Sequence, residues 1–194
     1  MTDLSRRTML TAPAILSLSA GAAACAETVD SPRRATSNVL VAYFSRSGNT
    51  RVIAGTIQRL LGADLFEIRP AQPYPEDYEA TVAQARQERD SGHEPPLAAT
   101  VPDIAAYDTV FLGFPIWGQT APPVIRSFLR AHDLTNRTVR PFITHGGYGL
   151  GSSRVVLSDH SPRARIEPPF VMEADQERRT LDQVKAWLGQ GGNR

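Results

Sequence analysis

Residues 41–50 of the 194-residue chain read VAYFSRSGNT. They belong to an apolar run, residues 39–44, that has no polar alternation, as a strand buried on both faces requires. The run leads into hydroxyl side chains and one glycine, and apolar residues at helical spacing follow. A strand, a hydroxyl-rich loop and a helix in this order predict a phosphate-binding loop, because backbone N–H groups of the loop and of the first helical turn converge.

Three hydroxyl groups in this loop, those of Ser45, Ser47 and Thr50, add neutral donors that suit a phosphate monoester. The loop has neither the GxxxxGK[ST] pattern of nucleoside triphosphatases nor the GxGxxG pattern of dinucleotide folds. ATP hydrolysis and NAD binding are therefore disfavoured at this loop. The alternative is a well-capped helix with no ligand.

From residue 38 onward, apolar runs alternate with amphipathic stretches. This alternation predicts a parallel sheet with helices on both faces. The predicted strands cover residues 39–44, 65–68, 109–114, 139–144 and 163–172, the last interrupted by Pro168 and Pro169.

Helices are predicted between the strands from apolar residues at helical spacing, and from prolines and glycines at the helix ends. A polar stretch with a thin apolar face, residues 76–90, is predicted as a solvated helix. The other helices are marked by Ile53, Ile57, Leu60 and Leu61 before Gly62, by Val124, Ile125, Phe128 and Leu129 after Pro122 and Pro123, and by Leu181, Val184 and Leu188.

The composition excludes several classes of function. The chain holds 21 Lys and Arg residues against 20 Asp and Glu, a net charge of +1, which gives no basic field for nucleic acid. A single cysteine, Cys25, allows neither an internal disulfide nor a thiolate metal cluster. The histidines show no metal-ligand spacing. We therefore expect no nucleic-acid partner and no bound metal.

The first 26 residues are typical of an export signal. Arg6 and Arg7 precede an apolar stretch, residues 8–24, that is too short and too interrupted for a membrane span. The paired arginines indicate a twin-arginine signal, and a general secretion signal is the alternative. We expect a signal peptide over residues 1–26, a linker over 27–37 and one domain over 38–190, exported to the periplasm.

Cys25 follows three alanines, as in a lipoprotein cleavage site. Lipidation of Cys25 would anchor the protein to a membrane, whereas ordinary cleavage near residue 24 or 26 would leave it soluble. Membrane contact is expected only through that lipid. Removal of residues 1–26 takes away Arg6, Arg7 and Asp3 and leaves 19 basic and 19 acidic residues, so the mature domain is formally neutral.

Four strings in this chain resemble those of the flavodoxins, most closely the short-chain flavodoxin-like proteins with an SRSGNT loop. They cover residues 45–50, 74–78, 113–123 and 142–152, and the resemblance extends from residue 38 to about residue 188. It implies an α/β, doubly wound three-layer sandwich with a five-stranded parallel sheet in the order 2-1-3-4-5. In that fold the loops after strands one, three and four converge on one crevice.

The resemblance implies FMN as the cofactor. The first loop would hold the phosphate, with Arg46 and Arg51 offsetting its charge, Trp117 would flank the flavin ring, and the other two loops would contact its polar edge. The cofactor-binding residues implied in this way are Ser45, Arg46, Ser47, Gly48, Asn49, Thr50, Pro115, Ile116, Trp117, Gly118, Thr144, His145, Gly146, Gly147 and Tyr148.

The chain departs from the family's usual strings at two loops. Gly118 stands where many relatives have a second aromatic residue. His145 and Tyr148 replace two serines in the glycine-rich loop. His145 is the one candidate for a catalytic proton donor, because the pKa of imidazole lies near neutrality, and a solvated loop histidine is the alternative.

Two functions remain open. One is an FMN-binding carrier that transfers electrons to a redox partner protein in the cell envelope. The other is an FMN-dependent NAD(P)H:quinone-type oxidoreductase with a small quinone-like acceptor. Carrier flavodoxins share a strongly acidic surface, and the neutral mature domain argues against that role. A flavodoxin-like fold that has lost its cofactor is a third alternative.

Overall fold

The computed structural model describes residues 37–173 and 177–190. The predicted signal, Cys25 and the linker as far as residue 36 lie outside the described residues. Within the described ranges, no helix is both long and apolar enough to cross a membrane.

Parallel strands at five positions form the sheet. The strands are β1 (Val39–Tyr43), β2 (Asp64–Glu67), β3 (Thr109–Pro115), β4 (Thr138–His145), β5 (Arg165–Ile166) and β6 (Phe170–Glu173). Their order is β2-β1-β3-β4-β5, and β6 also pairs with β4. This confirms the predicted parallel sheet and the order 2-1-3-4-5.

The fifth sheet position is divided between β5 and β6. Thr138 pairs with Arg165 at the start of β4, and His145 pairs with Glu173 at its end. Between them lie Pro168 and Pro169, which have no N–H to donate to β4 and so interrupt the strand where the sequence predicts.

Helices cover both faces of the sheet. They are α1 (Asn49–Leu61), α2 (Tyr78–Ser91), α3 (Pro123–Ala131), α4 (Ser153–His160) and α5 (Glu177–Gln190), with a 3-10 turn at Ile104–Ala106. The predicted helices are confirmed, and α4 was missed. Only Val156 and Leu157 provide its buried apolar side chains, too few to produce a readable stripe.

The sheet separates two apolar clusters. One lies beneath α3 and α4 and includes Leu112, Phe114, Val124, Ile125 and Phe128. The other lies beneath α1 and α5 and includes Ile53, Ile57, Phe111, Phe142 and Val184. The two clusters cover opposite sides of the sheet, so the central strands β1, β3 and β4 are buried on both faces, as their apolar runs predict.

The predicted apolar stripe of α1 is wrong at its end. Ile53 and Ile57 are fully buried, but Leu60 and Leu61 are exposed. These two residues form the end of α1, immediately before the C-cap residue Gly62, so the buried stripe stops about one turn before the helix does.

Candidate functional site

The loops after β1, β3 and β4 lie together at the carboxyl edge of the sheet. Phe44 N–H donates to the Gly113 carbonyl at 2.9 Å, which continues the β1–β3 pairing beyond the strand. Ile116 N–H donates to the Thr144 carbonyl at 2.8 Å and joins the other two loops in the same way. Adjacent parallel strands therefore bring the three predicted loops side by side at this edge of the sheet.

The first loop ends in Gly48, which precedes α1 with φ of +98°. No side chain caps α1, and its first turn contains no acidic residue. Gly48 N–H donates to Ser45 Oγ at 3.1 Å, so that hydroxyl shapes the loop and keeps its own proton available. N–H groups without a side-chain cap at a helix start favour an anion, so the loop fits a phosphate group.

Thr50 lies at the predicted place, but its side chain is buried beneath the loop. Its hydroxyl oxygen is 2.9 Å from that of Thr144 on β4. Thr144 is also buried. This pair ties the first turn of α1 to β4, and both hydroxyls are engaged in the protein interior.

The two arginines of the loop differ in their partners. Arg51 forms an ion pair with Glu67 at 2.7 Å, and that carboxylate raises the pKa of Arg51 further above its usual value. Arg46 donates to the Glu76 carbonyl at 2.7 Å and lies over the Tyr78 ring. Among the described residues no carboxylate pairs with Arg46, so its positive charge remains available to an anion at the loop.

Trp117 is half-buried and is held by two other aromatic rings. Its ring meets those of Phe44 and Tyr74 edge-on, at centroid distances of 5.1 and 4.9 Å. The three rings border a cleft of about 440 Å³ that also reaches Ser45 and Arg46. The cleft thus joins the phosphate-binding loop to an aromatic wall.

Tyr74 was not predicted as a site residue, although it belongs to the matched string at residues 74–78. Its hydroxyl donates to buried Glu88 at 2.8 Å, and Gln84 donates to the other oxygen of that carboxyl group. Burial and Glu88 raise the pKa of Tyr74 far above its ordinary value. The phenol therefore stays protonated and fixes the ring that supports Trp117.

Residues 117–120 form a tight turn at the end of the second loop. Trp117 and Thr120 exchange two backbone hydrogen bonds, of 3.0 and 3.2 Å, and both central residues have positive φ. Those angles, +55° at Gly118 and +63° at Gln119, are typical of a type I′ turn. The backbone conformation accounts for a glycine after the tryptophan.

The start of α4 holds this turn in place. Ser152 N–H donates to the Gln119 carbonyl at 2.9 Å, and its hydroxyl donates to that of Thr120 at 2.9 Å. Gly151 packs so closely on the Gln119 carbonyl that a Cβ there would overlap it. The helix that the sequence did not reveal is thus part of the site.

His145 is neither buried nor fully solvated. Its Nδ1 accepts the Gly147 N–H at 3.0 Å, which leaves the proton of the neutral ring on Nε2. Gly147 has φ of +100°, and Tyr148, further along the loop, has 83% of its surface exposed. His145 therefore shapes the glycine-rich loop and presents one N–H as a donor.

The structure brings the loops that contain the predicted residues to one edge of the sheet, with the Thr50 and Thr144 side chains in the interior. It places Ser45, Arg46, Ser47, Gly48 and Asn49 in the first loop or at the start of α1, Pro115, Ile116, Trp117 and Gly118 at or after the end of β3, and His145, Gly146, Gly147 and Tyr148 at or after the end of β4. Over the described ranges, no group of three or more His, Cys, Asp or Glu residues is placed to hold a metal ion.

The fold and these three loops define a flavodoxin-like α/β protein. The sequence model of the family described as Flavodoxin matches residues 38–190, and the chain belongs to that family. No curated protein matches the chain.

Solved structures of flavoproteins also resemble this chain. A candidate flavoprotein from Bacteroides eggerthii is 32% identical with a TM-score of 0.68, over 80% of this chain and 98% of its own. A second, from Bacteroides uniformis, is 28% identical with a TM-score of 0.67, over 76% and 97%. A Lactobacillus acidophilus flavoprotein in complex with FMN shares the fold at 20% identity and a TM-score of 0.61, over 74% and 97%. The family assignment supports FMN as the cofactor.

Proposed function

We propose that this flavodoxin binds FMN in the crevice at the carboxyl edge of its sheet and transfers electrons through it in the cell envelope. The observation that carries the proposal is the first loop, which ends at the uncapped start of α1 and whose residues Ser45 and Arg46 line the same cleft as Trp117. A phosphate site and an aromatic wall in one cleft match the two ends of FMN.

Bound FMN would supply a ring that accepts and releases one or two electrons. The chain would supply the surroundings. The N–H groups at the start of α1, with the Ser45 and Ser47 hydroxyls, would hold the phosphate, and Arg46 would balance its charge. Trp117 would exclude water from one side of the ring, and His145 Nε2–H would offer a hydrogen bond at the glycine-rich loop.

The first test is an absorption spectrum of the full chain after incubation with FMN and removal of free flavin. We expect flavin bands at about one flavin per chain. A folded protein that retains no flavin would overturn the proposal.

A matched pair of variants tests the phosphate site. Ser47→Asp puts a negative charge in the exposed first loop, and Ser158→Asp puts the same charge on the exposed face of α4. We expect Ser47→Asp to weaken FMN binding at least about tenfold and Ser158→Asp to leave it unchanged. Riboflavin, which lacks the phosphate, should bind the wild type and Ser47→Asp alike. If Ser47→Asp weakened the binding of FMN and of riboflavin equally, the phosphate would not lie at the first loop.

A reductase is the second candidate, and the cleft favours it. Besides the aromatic rings, the cleft is lined by Arg69, Pro70 and Pro73, so a small flat acceptor that entered it would meet Trp117 and a cationic side chain. Steady turnover of a quinone with NAD(P)H would support the reductase. Stepwise reduction through a stable one-electron form, without such turnover, would support the carrier.

The location in the cell envelope is proposed from Arg6 and Arg7 and the apolar stretch after them. Replacing both arginines with lysine should block export through a twin-arginine route, because its receptor reads the pair as an address. Arg33 and Arg34, outside the signal, form a matched pair whose replacement should have no effect. Export that survives the first replacement would favour the general secretion route.

A further inference from the structure

One side chain from α2 lies against the turn that follows Trp117. The guanidinium group of Arg89 packs on Gly118 so closely that a Cβ at residue 118 would overlap its Nη1 atom. The Arg89 side chain has 29% of its surface exposed. Gly118 therefore does more than permit the positive φ of the turn: it leaves the space that Arg89 occupies.

The adjacent residue of α2 supports the same turn by another route. Glu88 accepts the hydrogen bond of Tyr74, whose ring packs against Trp117. Glu88 thus supports Trp117 through Tyr74, and Arg89, the next residue of α2, packs directly on Gly118. The Tyr74–Glu88 contact holds this part of α2 near the turn.

We propose that Arg89 is a specificity-determining residue of this site and favours two-electron-reduced FMN over oxidised FMN. The inference rests on the proposed function. Reduction adds two electrons and one proton to the flavin ring, supplied by a reductant such as dithionite, and leaves a single negative charge on the ring. A guanidinium group beside Gly118 interacts favourably with that charge, and the oxidised ring carries no such charge.

The charge of Arg89 is only partly offset by its ion pair. Arg89 Nε and Nη2 both lie 3.0 Å from Asp90 Oδ1, but the Asp90 side chain is 56% exposed and water screens it. Charges separated by about 10 Å near a protein surface still change an equilibrium about tenfold. We therefore expect Arg89 to tighten the binding of reduced FMN about tenfold relative to oxidised FMN, which is about 30 mV in the two-electron potential.

The experiment measures dissociation constants for oxidised FMN and for dithionite-reduced FMN, the latter without oxygen, on the full chain. Arg89→Gln keeps much of the side-chain volume and removes the charge. Arg86→Gln is the matched control: Arg86 lies on the same helix, pairs with Asp90 at 3.6 Å, and is 75% exposed. We expect Arg89→Gln to lose the roughly tenfold preference, and Arg86→Gln and Arg89→Lys to keep it.

Two further results separate charge from packing. Increasing salt should reduce the preference of the wild type more than that of Arg89→Gln, because screening acts on charge and not on shape. Gly118→Ala should displace the guanidinium group and lower the preference without removing the charge from the protein. It serves in place of Arg89→Gln if that variant does not fold.

An equal preference for reduced FMN in Arg89→Gln and Arg86→Gln, with FMN still bound, would overturn this inference alone. Loss of the preference in Arg89→Lys as well would also overturn it, because the charge would then not be the cause. Failure of the wild type to bind FMN in either form would overturn the proposed function and this inference with it.

Discussion

The Thr50 and Thr144 hydroxyl oxygens lie 2.9 Å apart in the protein interior and join the first turn of α1 to the end of β4. The residues are 94 positions apart in the chain. Thr50 is the last residue of the predicted phosphate loop, and Thr144 lies on β4 just before the glycine-rich loop. This single contact therefore couples the positions of two loops of the site.

Removal of either hydroxyl should leave the other buried without its partner. We expect Thr50→Val and Thr144→Val each to lower the free energy of unfolding by about 1–3 kcal/mol. The double variant should lose less free energy of unfolding than the two single variants added together, because neither hydroxyl is then left unpaired. Urea denaturation of the four proteins measures this coupling.

Thr56→Val is the control for that cycle. Thr56 is also buried on α1, but its hydroxyl donates to the Val52 carbonyl of its own helix and accepts from Arg59, an exposed side chain that water can solvate, so its loss leaves no buried side chain unpaired. Strict additivity of the two single variants would show that the Thr50–Thr144 contact contributes nothing.

Buried His132 should make stability depend on pH. Its Nε2 accepts the Val101 N–H at 2.9 Å, its Nδ1 lies 2.8 Å from the Phe128 carbonyl, and burial lowers its pKa. The unfolded chain, with a histidine pKa of about 6.5, binds this proton more readily than the folded protein. Stability from His132 is therefore present above about pH 6.5 and is lost as the pH falls below it.

The melting temperature at pH 7.5 and pH 5.0 measures this effect. We expect His132→Gln to be less stable than the wild type at pH 7.5 and to show a smaller decrease between the two values. His93→Gln, at an exposed position, should retain the wild-type decrease. If His132→Gln and His93→Gln both kept the full wild-type decrease in melting temperature, the pH dependence would not come from His132.

Gly151 should tolerate no side chain, because a Cβ would overlap the Gln119 carbonyl oxygen. We expect Gly151→Ala to lower stability by about 2–4 kcal/mol, since the backbone of the turn must move. Gly149→Ala also introduces a side chain at positive φ, but into open space, and should cost about 1 kcal/mol. Equal losses in denaturation would mean that backbone strain and not overlap is responsible.

Tyr74→Phe should destabilise the protein by about 1–3 kcal/mol, because buried Glu88 loses one of its two side-chain donors. Tyr148→Phe removes the same hydroxyl from an exposed loop residue and should change stability by less than about 0.5 kcal/mol. Chemical denaturation compares them. A similar small effect of both variants would show that the Tyr74 hydroxyl is not needed to hold the ring against Trp117.

Much of the fold could be predicted because it follows from local patterns in the sequence. The apolar runs of β1, β3 and β4 mark strands buried on both faces, and the two prolines after β5 mark the break in the last strand. The prediction failed for α4, where only two apolar side chains face the core, and at the end of α1, where Leu60 and Leu61 are exposed. In both cases the burial of the helix depends on which other elements pack against it. A local sequence pattern does not contain that information.

The sequence by itself determined the parallel sheet, the succession of its strands along the chain and the three loops of the candidate site, because each is a short pattern of neighbouring residues. Only the tertiary structure decided which side chains meet there. Contacts of Thr50 with Thr144, of Tyr74 with Trp117 and of Arg89 with Gly118 join residues that are distant along the chain. Such contacts depend on how the helices pack on the sheet, and a difference of a few ångströms in packing would remove them without changing any sequence pattern.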